Sequence, residues 1–289
     1  MIEWVMVILP FTPCPATGDA FLGRQGLVRN LRGRIARGES LAVIGGPKLG
    51  KTSLVRTALH GLDHTVIEID CGAESSPRID VVPGSIVVLE NLDSFADSAI
   101  ESLLARVSAA KPTGIIVTGG RRLRAILGHS GTLAVSFRVF PLSVLLDGET
   151  RRLIGRDMSA GLAAWTGNHP YLTKLLLHYM DGERDENHRT LEHAVAAGRC
   201  QWEHFVQRLA AEISKGPERQ LLCYLIERGK PVNPTLAQSE TGIRDVKGVA
   251  DMLVYMGVIS RWIRNEEATL FAGCRLLNDF ITAKSKAHA

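Results

Sequence analysis

The chain has 289 residues, 45% of them hydrophobic and 22% charged, with a formal net charge of +4. That composition excludes a disordered or fibrous chain and leaves room for two or three modest domains around real cores. The positive excess is too mild to mark a nucleic-acid binder by itself. The five cysteines, Cys14, Cys71, Cys200, Cys223 and Cys274, are scattered, odd in number and without C-x-x-C spacing. Neither a disulfide framework nor a zinc site is expected, and a reducing cytoplasm is the expected location. The apolar start over residues 4–9 is too short to span a bilayer and has no basic lead, so no membrane partner is expected.

Residues 9–15, Leu-Pro-Phe-Thr-Pro-Cys-Pro, read as part of an extended lead-in over 1–20. Phe21-Leu22-Gly23-Arg24 follows. An amphipathic helix is then expected over 25–37, with Leu27, Val28, Leu31 and Ile35 at helical spacing. Most of its arginines form a solvated face, whereas Arg24 sits at a glycine turn just ahead of the helix. The apolar run Leu41-Ala-Val-Ile44 leads into Gly45-Gly46-Pro47-Lys48-Leu49-Gly50-Lys51-Thr52-Ser53, and a helix is expected over 52–62. The loop satisfies G-x-x-x-x-G-K-[ST] between a strand and a helix, which is a Walker A phosphate-binding loop in its proper context. Backbone N–H groups of such a loop point at phosphates. Lys51 would supply a charge for the β- and γ-oxygens and the Thr52 hydroxyl a ligand for Mg²⁺. ATP or ADP with Mg²⁺ is the expected ligand.

Residues 64–70 alternate and are β-branched, which predicts a strand. Residues 85–93 predict the next one, with carboxylates at its C-terminal end, where ligands of open parallel sheets bind. The usual Walker B pattern is four apolar residues, then Asp near Mg²⁺, then Glu to polarise the attacking water. Here the pair is Glu90-Asn91. Glu90 can carry charge near Mg²⁺, so Thr52 and Glu90 are the candidate metal ligands. Asn91 can orient a water but cannot accept its proton. Glu90 and Asn91 are the candidate catalytic residues, and hydrolysis is expected to be slow or partner-dependent. Asp93 is a nearby carboxylate that could compensate.

A helix is expected over 94–110. A buried strand begins at 113 and ends in a polar turn holding Thr118 and Arg121. Residues 134–140 alternate until Pro141, and 145–154 read as helical. Trp165-Thr-Gly-Asn-His-Pro170-Tyr-Leu opens a helix over 171–180 with Pro170 in its first turn. His188 and His193 are five apart with no third ligand, and read as solvated. One long amphipathic helix is expected over 190–215. Beyond Pro217, helices are expected over 218–228, 235–239 and 244–255. The third of these would be capped by Thr241 and stopped by Gly257. Strands over 258–263 and 268–272 and a helix over 275–283 complete the rhythm of a winged helix. Its third helix carries Arg244, Asp245, Lys247 and Asp251, and its wing tip Glu266 and Glu267, a set that phosphate does not favour.

From Leu9-Pro-Phe-Thr-Pro through Phe21-Leu-Gly-Arg24 to the Gly-Pro-x-x-Gly-Lys-Thr-Ser-Leu loop, the sequence resembles the start of bacterial STAND-type ATPases, the AAA+-related signal-transduction NTPases. The strand ending Pro141-Leu-Ser143 and the segment around Pro170 resemble later motifs of that family, and the resemblance spans about 8–283. It implies that Phe21, Leu22, Gly23 and Arg24 line the adenine. It implies that Thr118 or Arg121 senses the γ-phosphate and that Pro170 caps a lid helix against the base. Pro47 and Lys48 depart from the family's loop, and the glycine pair 119–120 shifts Arg121 by one position. The expected architecture is an α/β P-loop domain with a parallel sheet over 1–143, a helical lid and connecting helix over 144–215, and a winged-helix domain over 216–289. The expected function is an ATP/ADP-binding signal-transduction switch acting on a separate effector protein or by self-association. The alternatives are a DNA-binding AAA+ ATPase, origin-recognition-like or a transposition helper, using the winged helix, and a nucleotide-locked scaffold that never hydrolyses.

Overall fold

A computed structural model describes residues 21, 23–72, 80–129, 137–154, 159–180, 188–264 and 267–287. They group into two compact units. One takes in Arg24–Ser143 and, from far along the chain, Asp251–Gly257. The other takes in Val144–Ala250 and Val258–Ala289, with Gly23 ahead of the first helix. Among the described residues no helix is long and apolar enough to cross a membrane.

The first unit is a five-stranded parallel sheet in the order β2-β3-β4-β1-β5, made of β1 (Leu41–Ile44), β2 (Val66–Asp70), β3 (Ile86–Glu90), β4 (Gly114–Gly119) and β5 (Arg138–Pro141). The three central strands are buried at every position, so they are continuous apolar runs rather than alternating ones. The edge strands β2 and β5 are partly exposed and carry Glu68 and Arg138. Helix α1 (Gln25–Ile35) precedes β1, and α2 (Lys51–Leu59), α3 (Asp97–Ala109) and α4 (Arg121–His129) lie between strands. Leu89, Leu92, Ile100, Leu104, Val117 and Leu123 belong to one buried core, which holds α3 and α4 against the sheet. Helix α4 begins at Arg121, just after the polar turn the sequence predicts, so Arg121 is the surface arginine of a helix N-terminus, one of its two expected places. The N-terminal cap of α4 comes from far upstream: the Asp93 carboxylate accepts from Gly120 N–H and, at 2.9 Å, from Leu123 N–H. Asp93→Ala is expected to cost about 2 kcal/mol in urea unfolding, since two helix-end donors lose their acceptor.

The second unit holds α5 (Asp147–Ile154), α6 (Ser159–Thr166), α7 (Pro170–Met180), α8 (His188–Ala197), α9 (Arg199–Glu212), α10 (Gly216–Arg228), α11 (Pro234–Thr241), the start of α12 (Val246–Tyr255), the antiparallel hairpin β6 (Ser260–Arg264) and β7 (Glu267–Phe271), and α13 (Arg275–Ala287). The single helix expected over 190–215 is two helices broken at Gly198. A Cβ there would lie 3.0 Å from the Tyr179 ring, a tight approach that glycine leaves open. Thr241 does not cap α12. It ends α11, and its hydroxyl donates to Ala237 O at 2.6 Å. The capping acceptor is Asp245, whose Oδ1 takes Gly248 N–H at 2.8 Å. Asn233 caps α11 through Thr235 N–H, with Pro234 at the first helical position. Glu266 of the expected wing tip lies outside the described residues.

Candidate functional site

The site is built at the C-terminal ends of β1 and β3. Strand β1 ends at Ile44, and Gly45 N–H donates to Gly119 O at 3.1 Å, which keeps the loop's first residue in line with β4. Lys48 (φ 57°) and Gly50 (φ 89°) are left-handed, so the chain between β1 and α2 curls into a concavity of the kind that gathers backbone N–H groups around an anion. Helix α2 then starts at Lys51. The Lys51 ammonium donates to Gly45 O and Gly46 O at 2.9 Å each, closing the loop on itself. Leu49 is fully buried beneath it. Arg24 is also left-handed (φ 55°) and nearly buried, and it fixes the loop from outside. Its guanidinium donates to Leu49 O at 2.6 Å and to Ser143 O at 2.5 Å. Arg24 is therefore a strut of the loop, a role the sequence reading did not give it.

Glu90 closes β3 and is 6% exposed. Burial pushes its carboxyl above the ordinary value of 4.5, an effect opposed by the hydroxyl of Thr52. Glu90 Oε1 is a buried acceptor with no hydrogen bond among the described residues. A buried acidic oxygen beside a hydroxyl is the donor set that a hydrated divalent cation needs, so Thr52 and Glu90 fit Mg²⁺. The same burial makes a stability prediction. A folded-state pKa above the unfolded one contributes stability only below the unfolded value and loses it as pH rises through the folded one. Glu90→Gln has no such loss. It is expected to raise the melting temperature at pH 7 by about 2–4 °C, roughly 1 kcal/mol, with the gain vanishing as pH falls towards 4.5.

Asn91 follows in left-handed backbone (φ 58°) and is exposed. Its N–H donates to Thr118 Oγ1 at 3.2 Å, so the Thr118 side chain is engaged with the β3 end. The Asn91 amide Nδ2 donates to Asp70 Oδ1 at 2.9 Å. Asp93, expected as a spare carboxylate, is instead the cap of α4 described above. Arg121 is the exposed first residue of that helix. Of the other candidates, Phe21 is buried, Gly23 is left-handed (φ 83°) and Leu22 lies outside the described residues. Phe21, Gly23 and Pro170 group with the other unit, where Pro170 opens α7. There Gly167 (φ 60°) packs so close to Cys274 that a Cβ would lie 2.9 Å away, and His169 and Tyr171 both stack on Phe205 at 5.0 Å.

Two features escaped the sequence reading. Asp70 was only the last residue of a strand, although the rule that ligands gather beyond strand C-termini pointed there. The other is the approach of Asp251–Gly257 to the loop. Gly46 N–H donates to Tyr255 O at 2.6 Å, and the Arg124 guanidinium lies 3.8 Å from the centre of the Tyr255 ring. No local signal marks either contact.

No protein-family model and no curated protein matches the chain. Solved structures do. A Walker-type ATPase of Pyrococcus abyssi superimposes with a TM-score of 0.60 at 13% identity, over 94% of this chain and 99% of that one. The RuvB Holliday junction branch migration motor of Thermotoga maritima gives 0.48 at 15% identity, over 89% and 94%. The ORC1 protein of Aeropyrum pernix, solved in complex with DNA, gives 0.45 at 13% identity, over 93% and 94%. At these identities the likeness is one of architecture: with its five-stranded parallel sheet and the strand–loop–helix at Gly45, the chain has the α/β fold of P-loop NTPases.

Proposed function

We propose that the chain is a nucleotide-operated switch of the STAND/AAA+ type, binding ATP or ADP with Mg²⁺ at Gly45–Ser53 and hydrolysing ATP slowly. The observation that carries the reading is the loop itself. It is already curled by Lys48 and Gly50 and closed by Lys51, and α2 begins at its lip. Backbone N–H groups and the helix N-terminus would hold the phosphates, and Thr52 with Glu90 would hold Mg²⁺. The metal would neutralise charge on the phosphate oxygens. Asn91 would orient water. Residues 144–215 would act as the lid, with Pro170 opening one of its helices, and 216–289 as the winged helix that passes the nucleotide state to a separate effector or a second copy. A switch of this kind needs only two conformations with different nucleotide affinity. The test is to denature the purified protein and identify released nucleotide, then titrate the emptied protein with Mg·ADP and Mg·ATP. Absence of binding to either sinks the reading.

A second reading, a DNA-handling AAA+ ATPase, is favoured by the hairpin. On β6, Trp262 and Ile263 are exposed beside Arg261, an aromatic and basic pairing suited to nucleic acid. Against it, the start of α12 and the two residues before it balance exposed Arg244 and Lys247 with Asp245, and Glu267 is exposed on β7. Duplex binding whose affinity falls with a salt slope of several phosphates would decide for it.

A further inference from the structure

Asp70 ends β2 directly opposite Glu90 in the β2–β3 ladder and is solvent-exposed. Adjacent strands lie about 4.8 Å apart, so the ends of β2 and β3 present their side chains to one small volume. Asp70 Oδ1 accepts two hydrogen bonds, from Gly72 N–H and from Asn91 Nδ2, both at 2.9 Å. The left-handed backbone at Asn91 turns the residue out of the ladder, and Thr118 fixes its N–H. Both ends of Asn91 are thus held. Its amide nitrogen is turned to Asp70, which leaves Oδ1 as the end that can accept from a water. Among the described residues neither Asn91 Oδ1 nor Asp70 Oδ2 has a hydrogen-bond partner.

The Walker B pattern places a carboxylate directly after Glu90, and this chain has an amide there. An amide cannot take a proton; a carboxylate can. We propose that Asp70 is the proton acceptor for the attacking water and that Asn91 holds that water through Oδ1. The missing carboxylate stands one strand over, tied to the amide that replaced it. The inference rests on the nucleotide-binding reading above. In the step, the water oxygen forms a bond to the γ-phosphorus and the bond from that phosphorus to the β–γ bridging oxygen breaks. The water proton passes to Asp70 Oδ2, and ADP and phosphate leave. Asp70 then returns the proton to solvent.

The test compares wild type, Asp70→Asn and the exchange variant Asp70→Asn with Asn91→Asp. ATP affinity, single-turnover conversion of bound ATP, and the Asn91 side-chain amide signals in NMR are read for each protein that retains the residue. Asp70→Asn keeps size and an acceptor for Asn91 Nδ2, so ATP affinity is expected within about threefold of wild type and the amide signals stay protected from exchange. Conversion is expected to fall about 100-fold or more, the usual scale of a lost general base. The exchange variant is expected to recover at least about tenfold of that loss. Three results overturn the proposal: conversion by Asp70→Asn within about threefold of wild type, no recovery in the exchange variant, or wild type that binds ATP and never converts it. If wild type does not bind ATP at all, the nucleotide reading itself has failed, a different outcome from these three.

Discussion

Lys51→Ala is expected to weaken binding of Mg·ADP and Mg·ATP by about 100-fold or more, about 2.7 kcal/mol. The side chain has two duties. It donates to Gly45 O and Gly46 O at 2.9 Å, and these two charge-assisted bonds close the loop between β1 and α2. It also places a full positive charge at the mouth of that loop, where nucleotide phosphates would sit. Alanine leaves two carbonyls without their donor and the concavity without its cation. Lys51→Arg is expected to fail almost as badly. A rigid planar fork cannot reach both carbonyls with the geometry of a compact ammonium. Calorimetric titration checks the affinities. The control is the unfolding temperature, expected to change by no more than a few degrees, because Lys51 is only partly buried and no core side chain is altered. Affinity unchanged in Lys51→Ala would remove the loop from the nucleotide site.

What the sequence disclosed depends on how local each cause is. Leu41–Ile44, Ile86–Glu90 and Gly114–Gly119 are buried on both faces, so their apolar runs are visible without knowing the neighbours. The loop at Gly45–Ser53 is also self-contained: strand, turn residues and helix start follow one another within a dozen positions. A helix start at Arg121 was legible as one of two readings, but its cap was not, because Asp93 comes from the far side of α3 and β4. The break at Gly198 looked like one tolerated glycine in an amphipathic pattern. It lies against the Tyr179 ring of another helix, a neighbour that no local pattern names. Thr241 was a reasonable cap by type, but its hydroxyl turns back to Ala237 within its own helix and leaves the place to Asp245. The site divides in the same way. Glu90 beside Thr52 follows from the order of motifs. Asp70 beside Asn91 follows from β2 lying next to β3, an adjacency that no spacing states.

Gly46→Ala is expected to destabilise the P-loop unit by about 3 kcal/mol, a larger effect than one methyl group on a surface loop would suggest. The backbone at Gly46 is not left-handed, so the glycine is not there for its φ. It is there for space. A Cβ would lie 2.4 Å from Met256 O and 2.8 Å from Met256 C and Cα, and these are backbone atoms that cannot swing aside. The same contact carries a hydrogen bond. Tyr255 O is a carbonyl of the last turn of α12, where no intrahelical donor remains, and its partner is Gly46 N–H at 2.6 Å. Leu253 and Met256 are buried around it, Arg124 stacks on the Tyr255 ring, and Gly257 (φ 73°) ends the segment. The added methyl therefore overpacks the contact and breaks the bond together. Gly45→Ala is the calibrating variant. Its Cβ would meet Leu142 Cβ and O at 3.0 Å, a contact that small shifts relieve, so about 1 kcal/mol is expected. Tyr255→Ala keeps the carbonyl and loses the stacked ring, again about 1 kcal/mol. Urea unfolding should rank Gly46→Ala well above the other two. Hydrogen exchange should show lost protection across Asp251–Gly257 while β1 and β4 stay protected. Equal stability of Gly46→Ala and wild type would mean that this segment does not rest on the loop in solution. A loss spread evenly over the sheet would place the strain in β1 rather than in the docked helix end.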